Sequence, residues 1–206
     1  MRKSDTPDLT GLAARIAGSP LPPEANDKLA AFEDLLRDRG PALGLVSRDD
    51  ASRIRERHVL DSLRGVRAVE PDDAVAYDLG SGAGLPGLVV AIARPALDIR
   101  LVEIRRRRAA WLELAIHELE VANASVVVAR VEELRDSADL CFARAFAPLA
   151  RSWGLAAPLL TPRGRLVYFA GGNQPEDELA AFGSNARIIR EPLLDSSGPL
   201  VIIGKQ

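Results

Sequence analysis

Apolar positions recur at helical spacing through the first third of the chain. Leu29, Phe32, Leu35 and Leu36 fall on one stripe of a segment that Pro22-Pro23 opens near Glu24 and Gly40-Pro41 closes after Arg39. A second helix is expected from about Ala51 to Val69, with Ile54, His58, Asp61 and Ser62 spaced to share a face. No β-like run occurs before residue 74. From there short apolar runs alternate with helical stretches. Strands are expected at Val75–Leu79, Ile99–Glu103, Ser125–Ala129, Asp139–Ala143 and Arg165–Phe169. Helices are expected between them at Pro86–Ala93, Arg105–Glu120 and Leu149–Leu160, the last ending in a turn at Thr161-Pro162-Arg163-Gly164. A helix near Pro175–Phe182 leads to strands near Ala186–Glu191 and Leu200–Ile203, which lack an intervening helix and should pair as an antiparallel hairpin.

This alternation predicts an α/β fold, a mostly parallel doubly wound sheet with a C-terminal antiparallel hairpin. The expected division is a helical N-terminal part at 1–73 and a Rossmann-like domain at 74–206. The 206 residues suffice for a sizeable core, and 47% hydrophobic with 27% charged residues is a globular composition. No apolar run is long enough to span a bilayer, and Met1-Arg2-Lys3-Ser4-Asp5 leads into no signal-peptide core, so a cytoplasmic protein is expected. Cys141 is the single cysteine and there are two histidines, His58 and His117, which argues against a metal centre. The net charge of -2 makes the whole molecule no polycation, so a nucleic-acid partner would need a local basic patch. Arg105-Arg106-Arg107-Arg108 and the trio Arg53, Arg55 and Arg57 are the two candidates.

The most informative stretch is Asp78-Leu79-Gly80-Ser81-Gly82-Ala83-Gly84-Leu85-Pro86-Gly87, between a strand and a helix. A doubly wound fold binds its ligand there, and glycines admit both a sharp turn and a close ligand. Gly82, Gly84 and Gly87 match a dinucleotide fingerprint. Taken from Gly80, the pattern is an acid followed by a glycine at every second position, as in S-adenosylmethionine (SAM) methyltransferases. Asp78 favours the second reading. A carboxylate at the strand end repels a pyrophosphate but suits the cationic amino group of methionine and a sulfonium. Glu103, at the end of the second strand, is placed to accept hydrogen bonds from ribose hydroxyls, which NAD and SAM share.

With these residues the chain resembles the bacterial RsmG/GidB methyltransferases, which methylate guanine N7 in small-subunit ribosomal RNA. The resemblance spans roughly residues 25–175. It rests on Arg57-His58-Val59-Leu60-Asp61-Ser62-Leu63, the loop Asp78–Gly87, His117-Glu118-Leu119, Arg130-Val131-Glu132-Glu133 and Ala143-Arg144-Ala145-Phe146-Ala147. It implies SAM as cofactor, ribosomal RNA or the small subunit as partner, no membrane or metal, and a monomer. Carried over by position, the cofactor contacts include Gly80 and Leu85 in the loop, Val131 and Glu132 near the adenine, and Arg144 closing the site. The site expected from the residues and the resemblance together is Asp78, Gly80, Gly82, Leu85, Glu103, Val131, Glu132 and Arg144, with Arg144 acting on the guanine or a phosphate. Two departures stand out: Gly44-Leu45-Val46 where the family has Asn-Leu-Thr, and Ala170 where it has lysine. A small-molecule methyltransferase, a non-catalytic SAM-binding relative and an NAD-binding protein are the alternatives. His58 is read as a packing residue, Trp111, Phe142, Phe146, Trp153 and Phe169 as mostly core, and Cys141 as a buried hydrophobe.

Overall fold

The computed structural model describes residues 9–47, 49–171, 176–194 and 197–205. The opening Met1–Asp5 and the expected helix start at Pro175 lie outside them. Seven strands form one sheet in the order β3-β2-β1-β4-β5-β7-β6. They are β1 (Val75–Leu79), β2 (Asp98–Val102), β3 (Ala124–Val127), β4 (Ala138–Arg144), β5 (Leu160–Phe169), β6 (Ala186–Ile189) and β7 (Leu200–Gly204). β1 to β5 are parallel, and β7 lies antiparallel between β5 and β6. The expected hairpin of the last two strands is thus present, with its second strand inserted next to β5. The chain runs outward from β1 through β2 to β3, then returns to place β4 on the other side of β1. The crevice between the ends of β1 and β4 is therefore the switch point where a doubly wound sheet takes ligands.

Strand alternation divides the core into two layers. Ala76, Ile99, Leu101, Leu140, Phe142, Val167 and Phe169 face one side, and Tyr77, Leu79, Cys141, Ala143 and Tyr168 the other. The first side is covered by α4 (Gly87–Ala93), α5 (Arg106–Glu118) and the N-terminal helices. Phe32 and Leu36 of α2 (Ala25–Leu43) share one apolar cluster with Leu88 and Val89 of α4. The second side is covered by α6 (Leu149–Ala156), with Trp153 set edge-on to Phe182 at a centroid distance of 5.8 Å. This parity decides the site. Asp78 lies in register with Phe142 and shares the parity of Ala76, so it points to the α4 side. Arg144 follows Phe142 by two residues and faces the N-terminal segment.

Four expectations need correction. A helix, α1 (Leu9–Ala17), precedes those expected; its apolar stripe of Leu12, Ala13 and Ile16 is short and diluted by Gly11 and Gly18. α2 continues through Pro41 and stops at Gly44, whose left-handed φ of 65° lets its N–H reach the Gly40 and Pro41 carbonyls. The segment expected as one helix from Ala51 is broken into a 3₁₀ turn (Ala51–Arg53), a π turn (Arg55–Leu60), the short α3 (Asp61–Leu63) and a second 3₁₀ turn (Arg64–Ala68). The wide turn coincides with the place where the Arg57 carbonyl accepts a hydrogen bond from Arg144 at 2.7 Å, outside the helix. Finally, β5 starts before the expected turn. Thr161–Gly164 form an excursion inside the strand, seen as a register jump from Ala138↔Leu160 to Leu140↔Arg165.

Phe32 is fully buried in the shared cluster. Phe32→Ala is expected to cost about 3–5 kcal/mol, and urea unfolding should remain a single transition because helices and sheet share that core. Separate transitions for α2 and the sheet would contradict this.

Candidate functional site

The glycine loop leaves β1 and turns over its end. Gly80, Gly82 and Gly84 have φ of 70°, 55° and 93°, a region that side-chain-bearing residues avoid. The Ser81 N–H donates to the Val102 carbonyl at 3.0 Å and its hydroxyl to the Asp78 carbonyl at 2.8 Å, which pins the loop to β1 and β2. The Trp111 indole donates to the Ala83 carbonyl at 3.1 Å and ties the loop to α5. A Cβ at Gly80 would lie 2.6 Å from the Phe146 ring, so that ring packs on the loop. Above Gly82 nothing comes closer than 3.7 Å to where a Cβ would sit, leaving room for a ligand against the backbone.

Asp78 is 1% exposed and lies beneath this loop. Its Oδ2 accepts the Gly87 N–H at 3.1 Å, and a Cβ on Gly87 would strike that oxygen at 2.6 Å. Burial lifts its carboxyl to about 7, with the Gly87 N–H and the Arg144 charge offsetting only part of the effect. Glu103 is also buried. Its two oxygens accept the Gly82 N–H at 3.2 Å and the Arg105 N–H at 2.8 Å, so it braces the loop from β2.

A cleft of ≈ 520 Å³ opens at the switch point, a size usual for small-molecule sites. Its walls are Gly80, Gly82 and Leu85 of the loop, Arg144 and Ala145 at the end of β4, Tyr168–Gly171 at the end of β5, Gly198 before β7, and Arg57, His58 and Asp61 of the N-terminal segment. Thus Gly80, Gly82, Leu85 and Arg144 converge as expected, and Asp78 and Glu103 lie just under the loop rather than on the walls. Val131 and Glu132 stand apart. They form a 3₁₀ turn with Glu133 after β3, Val131 buried in the second core layer and Glu132 exposed, and neither lines this cleft.

Arg144 is the centre of the polar network. Its Nε pairs with Asp61 Oδ2 at 3.3 Å, and its Nη2 donates to the Arg57 carbonyl at 2.7 Å and to His58 Nδ1 at 3.1 Å. The other Asp61 oxygen pairs with Arg64 at 2.5 Å. Arg64 is 1% exposed, stacks on Phe169 at 5.6 Å and donates to the Gly198 carbonyl at 2.7 Å. The sequence reading missed Arg64 and gave Asp61 no arginine partners. An acid and a base three residues apart on one helix face was the available signal for that pair. Ser62 bonds the His58 carbonyl rather than its ring. His58 is not the satisfied packing residue expected, because its Nε2 is enclosed and has no partner among the described residues.

The two basic patches differ. Arg55 is engaged by the buried Glu33 at 2.8 Å and Arg57 by Asp50 at 2.5 Å, whereas Arg53 is exposed. In the α5 run, Arg105 and Arg106 are exposed, Arg107 reaches the Ala42 carbonyl at 3.4 Å, and Arg108 lines the cleft beside Gly82. Cys141 is fully buried and its thiol is pushed up to about 12, so it is an inert hydrophobe. No helix among the described residues is long and apolar enough to cross a membrane.

A switch-point cleft walled by a glycine loop, with an acid just after β2 bracing that loop, defines a Rossmann-like nucleoside-binding fold. A SAM-dependent methyltransferase from Aquifex aeolicus shares it, with a TM-score of 0.57 at 13% identity over 77% of this chain and 95% of that one. The family model for rRNA small subunit methyltransferase G (GidB) matches residues 25–191. A ribosomal RNA small subunit methyltransferase G from Acidiphilium cryptum is 43% identical over 178 residues, 84% of this chain and 82% of its own. Another from Granulibacter bethesdensis is 42% identical over 79% of this chain and 76% of its own. The chain belongs to the rRNA small subunit methyltransferase G family.

The Asp78 carboxyl binds a proton on folding, since its folded value of about 7 exceeds its ordinary 3.8. The stability it contributes is complete below about pH 4 and is lost as pH rises through about 7. Asp78→Asn keeps an acceptor for Gly87 and cannot ionise. Relative to the wild type, the variant should gain stability between about pH 4 and pH 7, by at most about 4 kcal/mol. Parallel urea midpoints for the two proteins across that range would overturn this.

Proposed function

We propose that this protein transfers a methyl group from SAM to guanine N7 in small-subunit ribosomal RNA. Family membership carries the reading, and the network that holds a guanidinium at the cleft wall supports it. When bound, SAM supplies an electrophilic methyl on a sulfonium. Guanine N7 keeps its lone pair at neutral pH, so the chain need not provide a general base to remove a proton. The methyl carbon bonds to N7 as its bond to sulfur breaks, leaving S-adenosylhomocysteine and a cationic N7-methylguanine. The chain's work is then placement, for which well-oriented reactions reach effective molarities on the order of 10^5 M or more.

The proposed cofactor contacts are the Gly80–Leu85 backbone and Gly82, with Asp78 and Glu103 supplying negative charge beneath them, and Val131 and Glu132 beyond β3. For Glu103 to meet a ribose, it must share the carboxylate that now holds the Gly82 and Arg105 N–H groups. Arg144 is proposed to orient the guanine or a neighbouring phosphate through its planar fork. In this reading the chain divides into an N-terminal part at 1–73, whose helices from Leu9 onward wall the methyltransferase domain at 74–206, and the protein acts as a cytoplasmic monomer without a metal. Arg105 and Arg106, exposed at the start of α5, are the proposed phosphate contacts.

Two measurements test this. Labelled methyl from SAM, offered to small subunits lacking the modification and to naked RNA, should appear on guanine N7, and Arg144→Ala should abolish most of the transfer. A protein that binds SAM and labels neither substrate would overturn the reading, as would full activity in Arg144→Ala. Replacing Arg105 and Arg106 with alanine should reduce the salt dependence of RNA binding by a slope of about 1–2. An unchanged slope would remove both from the interface.

A further inference from the structure

The contact between Arg144 Nη2 and His58 Nδ1 is 3.1 Å long. A guanidinium has donors only, so Nδ1 must accept and carry no proton. The ring is therefore the neutral tautomer with its hydrogen on Nε2, the enclosed atom that has no partner among the described residues. The same guanidinium nitrogen donates to the Arg57 carbonyl, and the neighbouring Nε pairs with Asp61. Two of its three tethers thus come from successive residues of the π turn, a wide turn of the kind that recurs at functional sites. His58 and Arg144 both line the cleft.

We propose that His58 is a positioning residue: its unprotonated Nδ1 fixes the Arg144 guanidinium in the cleft, and the site works only while His58 is neutral. This rests on the methyltransferase reading for its effect on rate, but the geometry stands apart from it. Asp61 fixes the charge of Arg144 at one edge. The Arg57 carbonyl holds one Nη2 hydrogen, and His58 Nδ1 is the remaining acceptor, which takes the other and completes the definition of the guanidinium plane. Protonation of His58 removes that acceptor and sets an imidazolium against a guanidinium. The groups facing the ring are Arg144 from β4 and Arg57, Asp50 and Asp61 from the N-terminal segment. Burial and the Arg144 charge hold the imidazole below its ordinary range, outweighing the two carboxylates. The bond therefore persists at neutral pH and fails on the acid side.

The first test is activity-free. Nitrogen-15 NMR of the full chain, with His58 assigned by its loss in His58→Asn, should show an unprotonated Nδ1 and a protonated Nε2 at neutral pH. In Arg144→Gln the His58 titration midpoint should rise. A protonated Nδ1 at neutral pH, or a midpoint unmoved in Arg144→Gln, would overturn the proposal whatever the protein methylates. The second test is kinetic. Asparagine offers an oxygen near the Nδ1 position and does not titrate, whereas phenylalanine fills the ring's space with no acceptor. His58→Asn should retain methyl transfer within about 3-fold at neutral pH, and His58→Phe should lose roughly 10-fold, the size of one charge-assisted hydrogen bond. The ratio of wild-type to His58→Asn rates should fall as pH drops, since the Asp78 titration is common to both and cancels. Equal activity in the asparagine and phenylalanine variants, or a flat ratio, would make His58 a packing residue. A wild type inactive on every ribosomal substrate would sink the methylation reading, and the NMR outcome would still decide this one.

Discussion

One carboxylate holds the two halves of the site together. Asp61 sits between Arg144 on the sheet and Arg64 on its own helix turn, with one oxygen committed to each. A buried cation and a partly buried one cannot stand this close without an anion between them, and a lone buried charge costs several kcal/mol. Such a triad contributes little net stability against an apolar alternative. What it adds is definition. Arg64 reaches on to the Gly198 carbonyl beside the end of β5, and Arg144 to the π turn. Through Asp61 the N-terminal segment, the ends of β4 and β5, and the approach to β7 take fixed places around one cleft.

The acids under the loop work differently. Asp78 and Glu103 face inward and spend their oxygens on backbone N–H groups of the loop and the α5 start. They shape the glycine turn from below, and their field reaches the cleft through a thin layer of backbone. In a region this poorly hydrated a negative charge acts over more distance than it would in water. The reading that Asp78 suits a cationic ligand thus becomes electrostatic rather than contact-based. Burial raises its pKa, and a cation held above the loop would favour its ionised form.

Much of this was legible in the chain. Apolar runs located the strands, most clearly β1 and β4, because a parallel strand buried on both faces needs them. The glycine spacing and the two strand-end acids located the loop, since only backbone freedom and local order were involved. Period-two alternation within β1 also puts Asp78 on the α4 side, with Ala76. The Arg144–Asp61–Arg64 arrangement was not legible, because it joins residues from distant segments and arginine is abundant throughout. The π turn was hidden for the same reason: the carbonyl that it presents outward is taken by a guanidinium from β4. Val131 and Glu132 came from the family resemblance alone, since nothing local in their 3₁₀ turn after β3 points to a ligand.

The insertion of β7 between β5 and β6 has a kinetic side. During synthesis β5 and β6 emerge first and cannot lie in final order until the later strand slots between them. Gly198, the acceptor for Arg64, arrives only just before that strand. A nascent chain therefore carries the cleft with one wall unbuilt and a buried cation short of a partner. The ligand pocket matures in the same step as the sheet, so a half-made protein has little capacity to sequester its ligand.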